Sequence, residues 1–145
     1  MRLWHYKLLP YLPKSQLVSQ WKELNSIFKK QDNHLLINYV YKYDKCELQS
    51  YTYLLFKEFK NRNYKIRDYK KFDKYFEDVE NYYVTLTPFK NDHTRDYLLK
   101  CFMNLEEKYF CGQKDFDRET YLKLWNFVNN ELNGLLEIIG RELKC

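Results

Sequence analysis

Glu23 is the acidic side chain whose position along the chain is best suited to chemistry. The apolar residues around it recur at spacings of four, three and four, the pattern of one buried stripe on an amphipathic helix. These apolar residues are Leu17, Trp21, Leu24 and Phe28. A separate polar face holds Glu23 with Gln16, Ser19, Ser26 and Lys30. A carboxylate there could meet a ligand and stabilise a developing cation or carry a proton, or it could be an ordinary solvent-facing charge.

The other reactive residue types form no recognisable catalytic or metal-binding motif. The four cysteines at positions 46, 101, 111 and 145 contain no C-x-x-C pair and no zinc-like spacing with histidine. Three glycines in the whole chain exclude a glycine-rich phosphate loop, and no serine lies in a nucleophile elbow. Among the histidines, His5 is the best functional candidate because it lies near the beginning of the chain. We expect no metal and no cofactor.

The elements that would position Glu23 are predicted to be helices. Only three glycines and three prolines among 145 residues disfavour a fold of many short strands. Apolar periodicity and capping residues predict helices over residues 14–30, 46–61, 95–110 and 117–139. The tyrosines at 39, 41 and 43 alternate, which fits either a strand or the end of a helix. Residues 1–13 are apolar and contain two prolines, which predicts an extended arm lodged against the body.

This pattern predicts an all-α, compact single domain, spanning residues 1–145, with three to four main helices. No linker, internal repeat or low-complexity segment divides the chain. The beginning of the chain lacks a signal-peptide pattern, and no 18-residue apolar run could span a membrane. We therefore expect free thiols in a reducing cytoplasm and no membrane partner.

Positive charge is concentrated in the middle of the chain. The net charge is +5, and residues 57–74 alone carry eight basic and three acidic side chains. Residues 106–145 carry six basic and eight acidic side chains. Such a stretch is typical of a surface that meets nucleic acid, and also of a solvated helical face.

Residues 16–24, QLVSQWKEL, with Phe28 and His34 after them, begin a series of collinear segments. They are similar to the H-L-x-x-x-Y-R-E-L helix of the phage-type pyrimidine-dimer DNA glycosylases with AP-lyase activity, and Phe28 and His34 also fit. Further matches are YDK at 43–45, FKNRNYKI at 59–66 and LEEK at 105–108. The opening WHYKLLPYLP at 4–13 closely resembles a bacterial branch of the family. Together these segments cover roughly residues 1–116.

The resemblance implies an all-helical domain that flips a base of damaged double-stranded DNA and attacks the sugar C1′ with its terminal α-amine. In this chain that amine would belong to Met1, if the methionine is retained, with Glu23 as its catalytic partner. It also implies that the strand is cut by β-elimination, as in an AP lyase. The side chains expected to contact DNA are Arg2, His5, Gln16, Lys22, Lys30 and Lys108.

This sequence departs from the family pattern at four positions around the expected site. Its arginine stands at position 2 with Met1 before it, so the terminal amine is displaced by one residue. Lys22 replaces an arginine, which removes a bidentate grip. Ser26 replaces a second arginine, and Gln16 replaces a histidine.

Three functions are compatible with this pattern. The first is a DNA repair glycosylase and AP lyase acting on pyrimidine dimers or abasic sites. The second is a non-catalytic nucleic-acid-binding protein that retains the fold, and the third is a lyase for another modified base or for abasic DNA only. The helix predicted from Asp117 has no counterpart in the resemblance, and we expect it to cover the DNA face or to form a homodimer.

Overall fold

The structure is a computed structural model, and it describes residues 2–31 and 34–140. Throughout these ranges the regular elements are helical and no strand occurs. The four long helices are α1 (Lys14–Lys29), α2 (Lys45–Asn61), α4 (Arg95–Phe110) and α5 (Arg118–Glu131). The short helices α3 (Lys70–Tyr75) and α6 (Leu135–Ile138) complete the α-helices of the described part. The all-α prediction is confirmed.

The N-terminal arm packs against the body as expected, but it is not extended throughout. Leu3, Trp4 and His5 are buried, while Tyr6–Tyr11 form a 3₁₀ helix with Pro10 inside it. The His5 side chain caps this turn by accepting a hydrogen bond from the Lys7 amide at 3.1 Å. The prediction of a fully extended arm is wrong because proline's fixed φ fits a short 3₁₀ turn, which needs no i→i+4 bond.

The predictions for the first three long helices are confirmed to within one residue at each end. The stripe residues of α1 are buried, apart from Trp21, which is partly exposed. On α2 the apolar face is buried as well, with Leu48, Tyr51, Leu55 and Phe59. At the start of α4 the Thr94 hydroxyl accepts a hydrogen bond from the Tyr97 amide, and Gly112 follows its end with φ +82°. Capping and periodicity were sufficient here because both are local properties of the chain.

The predicted C-terminal helix is interrupted. α5 ends at Glu131, and Asn133 and Gly134 then take φ values of +55° and +82° before α6 begins. The prediction of one helix to residue 139 is wrong because two successive left-handed residues cannot continue a right-handed helix. The Asn129 carboxamide oxygen accepts from the Leu136 amide at 3.1 Å, which ties α6 back onto α5.

The two segments that the sequence left open are also helical. Asn38–Lys42 form a 3₁₀ helix, so the strand alternative for the tyrosine-rich segment is wrong. The basic segment after α2 contains α3, which was not predicted. There Phe72 is buried, and its ring packs against the rings of Phe28 and Phe56, 5.8 and 5.2 Å away.

A hydrophobic core joins these elements. Its members come from the arm, from all four long helices and from α3 and α6, and Tyr51, Phe89 and Phe102 are its largest fully buried side chains. α1 packs on α3, α4 packs on α5, and the 3₁₀ turn of the arm packs on both α2 and α5. The arm is therefore part of the core, which places the beginning of the chain beside α1. Across the described ranges, no helix is both long and apolar enough to cross a bilayer.

Candidate active site around Glu23

Glu23 lies in the middle of α1, half-buried, on the side that faces the beginning of the chain. Its Oε2 atom accepts hydrogen bonds from the Arg2 backbone amide at 3.3 Å and from the Gln20 side-chain amide at 3.0 Å. No described residue forms a hydrogen bond with Oε1. One carboxylate oxygen is thus held in place by the arm and by α1.

The environment of Glu23 makes its carboxyl group a weaker acid than an ordinary glutamate. Burial raises its pKa, although the hydrogen bonds from Arg2 and Gln20 and the charge of His34 act in the opposite direction. The net shift of the pKa is upward. A raised pKa makes the carboxylate a better proton acceptor, which suits a general base.

Gln20 connects the arm to Glu23. Its Nε2 atom donates to the Arg2 carbonyl and to Glu23, both at 3.0 Å, and its Oε1 atom accepts from the Trp4 amide at 2.8 Å. The Tyr51 hydroxyl lies 3.0 Å from the same Oε1 atom. Both donors of the carboxamide are therefore engaged, and its oxygen accepts from the Trp4 amide and shares the Tyr51 hydroxyl proton with the Trp4 carbonyl, which explains why this polar side chain is buried.

Two tyrosines hold the backbone of the arm from the other side. The Tyr51 hydroxyl is 2.7 Å from the Trp4 carbonyl oxygen, and the Tyr97 hydroxyl donates to the Leu3 carbonyl at 2.5 Å. Together with Gln20, they pair the carbonyl oxygens of three consecutive residues of the arm, and Gln20 also accepts from the Trp4 amide. Buried backbone groups are costly when unpaired, so these contacts define the path of the chain toward Glu23.

A buried pair of histidines anchors the arm further along. The His93 Nδ1 atom accepts from the Tyr6 amide at 3.1 Å, so its Nε2 atom carries the proton and donates to the Tyr39 hydroxyl at 2.7 Å. His5 accepts from Lys7 through Nδ1 and donates through Nε2 to the His93 carbonyl at 2.8 Å. Burial lowers the pKa of His5 to about 4 and that of His93 to about 2. Both rings are neutral at pH 7.

The two arm residues expected to contact DNA differ in their accessibility. His5 is 3% exposed and both of its ring nitrogens have partners inside the protein, so its contacts assign it to holding the arm. A DNA contact from this ring would require the arm to open. Arg2 is partly exposed. Its positive charge opposes the rise that burial causes in the pKa of the Tyr97 hydroxyl and of the Cys101 thiol.

The remaining predicted contact residues lie along α1 and at the end of α4. Gln16 donates to the Gln113 side chain at 2.9 Å, which joins the first turn of α1 to the loop after α4. Lys22 and Lys30 are exposed, the first on α1 and the second at its C-terminal cap, and Lys108 is partly exposed in the last turn of α4. The structure brings Arg2 and Glu23 together, whereas Gln16 lies two turns away along α1. Met1 lies outside the described residues.

Sequence reasoning missed Gln20, Tyr51, Tyr97 and His93. The only local signal for these residues was Gln20, a polar residue on α1 between the apolar stripe and the polar face. Its partners are 16 and 31 residues away, so periodicity could not find them. Within the described ranges, no cluster of three His, Cys, Asp or Glu side chains could hold a metal ion. Cys46, Cys101 and Cys111 are free thiols.

The fold and the site define a class of protein: an all-helical protein whose N-terminal arm is hydrogen-bonded beside a half-buried helix glutamate. The sequence model for pyrimidine dimer DNA glycosylases matches residues 1–72. This stretch contains the arm, α1 and α2, and with them Arg2, Gln20, Glu23 and Tyr51. This first half of the chain, with the arm and the site, belongs to the pyrimidine dimer DNA glycosylase family. No curated protein and no solved structure matches it.

Proposed function

We propose that this protein excises pyrimidine dimers from duplex DNA and then cleaves the strand as an AP lyase. The nucleophile is the α-amine of Met1, and Glu23 is its partner. The family supports the glycosylase activity and a DNA substrate. The observation that carries the finer mechanism is the hydrogen bond between the Arg2 amide and Glu23 Oε2. Because the substrate is DNA, we expect the protein to act in the cytoplasm.

Covalent geometry links that hydrogen bond to the proposed nucleophile. The α-nitrogen of Met1 is three bonds from the Arg2 nitrogen, so the two atoms are no more than about 4 Å apart in any conformation. The Arg2 nitrogen is itself 3.3 Å from the Glu23 carboxylate. If Met1 is the first residue of the mature protein, this short covalent connection supports the proposal that its amine acts together with Glu23. An α-amine has an ordinary pKa of about 7.7–8.0, so a useful neutral fraction exists near pH 7.

The chemical steps assign distinct tasks to the amine and the carboxylate. The neutral amine attacks C1′, the glycosidic bond breaks, and its electron pair leaves with the base, which is protonated. The amine loses a proton and the sugar ring opens, giving an iminium between the protein and C1′. A base then removes a proton from C2′, and the 3′ phosphate leaves by β-elimination. Glu23 stabilises the cation and accepts and returns the protons of these steps.

The DNA-binding surface in this proposal consists of α1, the beginning of the arm and the last turn of α4. Arg2, Lys22, Lys30 and Lys108 would bind phosphates, and Gln16 would contact the strand beside the lesion. These assignments come from the family resemblance and are supported by the exposure or partial exposure of each side chain. His5 supports the site indirectly by fixing the arm. A damaged base pair is easier to open than an intact one, which favours lesions.

Borohydride trapping tests the mechanism directly. The protein is incubated with duplexes carrying a thymine dimer, an abasic site or no lesion, and a covalent protein–DNA band is sought. A band with the dimer is expected. A band with abasic DNA alone would favour a lyase for other lesions. If no duplex gives a band while salt-sensitive binding persists, the protein is a non-catalytic nucleic-acid-binding member of the family.

A matched pair of variants separates chemistry from binding. Glu23→Gln is expected to lower the rate at least a hundredfold while duplex affinity changes little. Glu119→Gln makes the same replacement at an exposed glutamate of α5 and is expected to cut like wild type. Intact mass, measured on the same samples, shows whether Met1 is the first residue. Wild-type cutting by Glu23→Gln would exclude the proposed role of this carboxylate.

A further inference from the structure

A cleft of about 950 Å³ lies between α1 and the segment that connects α2 to α3. We call it the α1–α3 cleft. Its basic lining residues are Lys14, Lys22, Lys65, Arg67 and Lys71, and Asp68 is its one acidic lining residue. The Asp68 carboxylate accepts a hydrogen bond from the Lys70 amide at 2.8 Å, so it is engaged locally. With five basic lining residues and one acidic lining residue, the cleft carries a net positive charge.

The five basic side chains of the cleft lack acidic partners among the described residues. Arg62, by contrast, lies next to the cleft and is paired with Glu58 at 2.8 Å. Unpaired like charges on one concave surface repel each other, and a bound anion relieves this repulsion. The charge pattern points to a polyanionic occupant.

The floor of the cleft is apolar and aromatic. Trp21, Phe59, Tyr64 and Ile66 line it, and Trp21 and Tyr64 are partly exposed. The Lys14 ammonium group lies 5.2 Å from the centre of the Tyr64 ring, a cation–π distance. Cations at the rim and rings at the floor are the combination that binds unpaired nucleotides, through phosphates and bases respectively.

The cleft is separate from the candidate active site. Glu23 is two residues along α1 from both Trp21 and Asn25, which line the cleft. At about 100° per residue, this places Glu23 roughly 160° around the helix from each of them. α1 therefore lies between two surfaces, with Glu23 and the arm on one side and the α1–α3 cleft on the other, and Lys22, which lines the cleft one residue before Glu23, is shared by both.

We infer that the α1–α3 cleft is a second nucleic-acid site that binds a single-stranded polynucleotide. A duplex offers mainly phosphates to a cleft, because its bases are stacked inside, whereas an unpaired strand also offers base faces to the exposed rings. The volume is at the upper end of the range of about 300–1,000 Å³ typical of small-molecule pockets, which leaves room for a nucleotide and its flanking phosphates. This inference does not depend on catalysis at Glu23.

Fluorescence provides a readout specific to this site. Trp4 and Trp125 are buried, and Trp21 is the partly exposed tryptophan at the cleft. Titration of the full chain with a twelve-residue oligothymidylate is expected to quench tryptophan emission through stacking near Trp21. The Trp21→Phe variant, which keeps an aromatic ring, is expected to lose most of the quenching while still binding the oligonucleotide in an anisotropy assay. Quenching that persists in Trp21→Phe would place the bound strand elsewhere.

A charge-matched pair of triple variants tests the basic rim. Replacing Lys65, Arg67 and Lys71 by alanine is expected to lower oligothymidylate affinity at least tenfold. It should also make the slope of log affinity against log salt shallower by about 2, since each phosphate contact of a single strand contributes about 0.7. Replacing Lys57, Lys60 and Lys74 removes the same charge from exposed positions outside the cleft. Equal losses in both triple variants would overturn the inference.

Competition between ligands identifies the occupant. Oligothymidylate and oligouridylate of equal length are compared with an undamaged duplex and with polyglutamate. Tighter binding of either single strand supports the inference, and their ratio shows whether DNA or RNA is preferred. Preferential binding of the duplex or of polyglutamate would overturn it. Glu23→Gln is expected to bind the single strand normally, so failure of catalysis and failure of this site are distinguishable.

Discussion

The Nε2 atom of Gln20 lies 3.0 Å from Oε2 of Glu23, and the same carboxamide bonds the backbone of Arg2 and Trp4. One side chain thus sets both the path of the arm and the position of the candidate catalytic carboxylate. Gln20 is a positioning residue in this arrangement, because it acts on the reaction through Glu23 and the arm. Its effect on the Glu23 pKa makes this role measurable.

Gln20→Leu should lower both activity and stability. The Trp4 amide and the Arg2 carbonyl lose their partners, and each unsatisfied buried group costs about 1–3 kcal/mol. The Gln20 hydrogen bond lowers the Glu23 pKa, so its loss should move the acidic limb of the rate profile to higher pH. Urea unfolding and pH–rate profiles check these effects. Asn25→Leu removes another α1 carboxamide, one bonded to the Trp21 carbonyl, and should leave the limb unmoved.

Glu23→Gln should be at least as stable as wild type at pH 7.5. Burial raises the carboxyl pKa in the folded state, so the folded state holds the proton more tightly than the unfolded state does. The wild-type free energy of unfolding therefore falls as pH rises through this window, and the neutral amide avoids that loss. Thermal unfolding at pH 7.5 and pH 4 should show the advantage of the variant shrinking in acid. A Tm at pH 7.5 more than about 4 °C below wild type would contradict this expectation.

The histidine pair should make the fold sensitive to mild acid. Both rings are neutral in the folded state, with pKa values of about 4 for His5 and about 2 for His93. The unfolded chain binds protons near the ordinary value of about 6.5. The contribution of the two neutral histidines to the free energy of unfolding is therefore complete above about pH 6.5. It declines toward pH 4 by up to about 1.4 kcal/mol per pH unit for each histidine.

Urea unfolding between pH 7.5 and pH 4.5 measures this decline. His93→Gln should be less stable at pH 7.5, because it loses its contacts with Tyr6 and Tyr39, but its stability should depend less on pH. His34→Gln is the matched control, since His34 is exposed. It should retain the part of the pH dependence that comes from the two buried histidines, because both stay in place. The same slope in all three proteins would show that other groups control the acid response.

Tyr51→Phe should loosen the arm without disturbing the core around the ring. The substitution removes the hydroxyl contacts with the Trp4 carbonyl and Gln20 and leaves a buried carbonyl with one partner fewer. We expect a loss of about 1–3 kcal/mol in unfolding free energy and faster amide hydrogen exchange in the arm. Tyr43→Phe, which removes a hydroxyl bonded to Asp92, is the control. Unchanged exchange at the Trp4 amide in Tyr51→Phe would argue against this anchoring role.

The helices were predictable because their signals are local. The spacing of Leu17, Leu24 and Phe28 predicted α1, and the Thr94 cap and Gly112 bounded α4. The break after α5 was missed even though Gly134 was visible in the sequence. Glycine is tolerated inside many helices, and here the contact of Asn129 with the Leu136 amide stabilises the turn.

The sequence predicted the charged residues of the candidate site but not the hydrogen bonds that hold the arm beside them. Glu23 and the basic residues were found because the family pattern and charge counts can be seen in the chain itself. The contacts of Gln20 with the arm and of His5 with His93 join residues 16 to 88 positions apart. No periodicity connects such residues, so His5 was predicted to contact DNA when its ring is in fact buried in the anchor of the arm.

The sequence by itself determined the helical class, the bounds of three long helices, the family and the candidate carboxylate, because each depends on neighbouring residues or on an ordered motif. Only the tertiary structure decided where the N-terminal arm lies relative to α1. Packing of the arm into the core brings the Arg2 amide to Glu23 and separates both from the α1–α3 cleft on the far side of α1. Such distances depend on how helices pack together, and packing depends on contacts between residues that are distant in sequence.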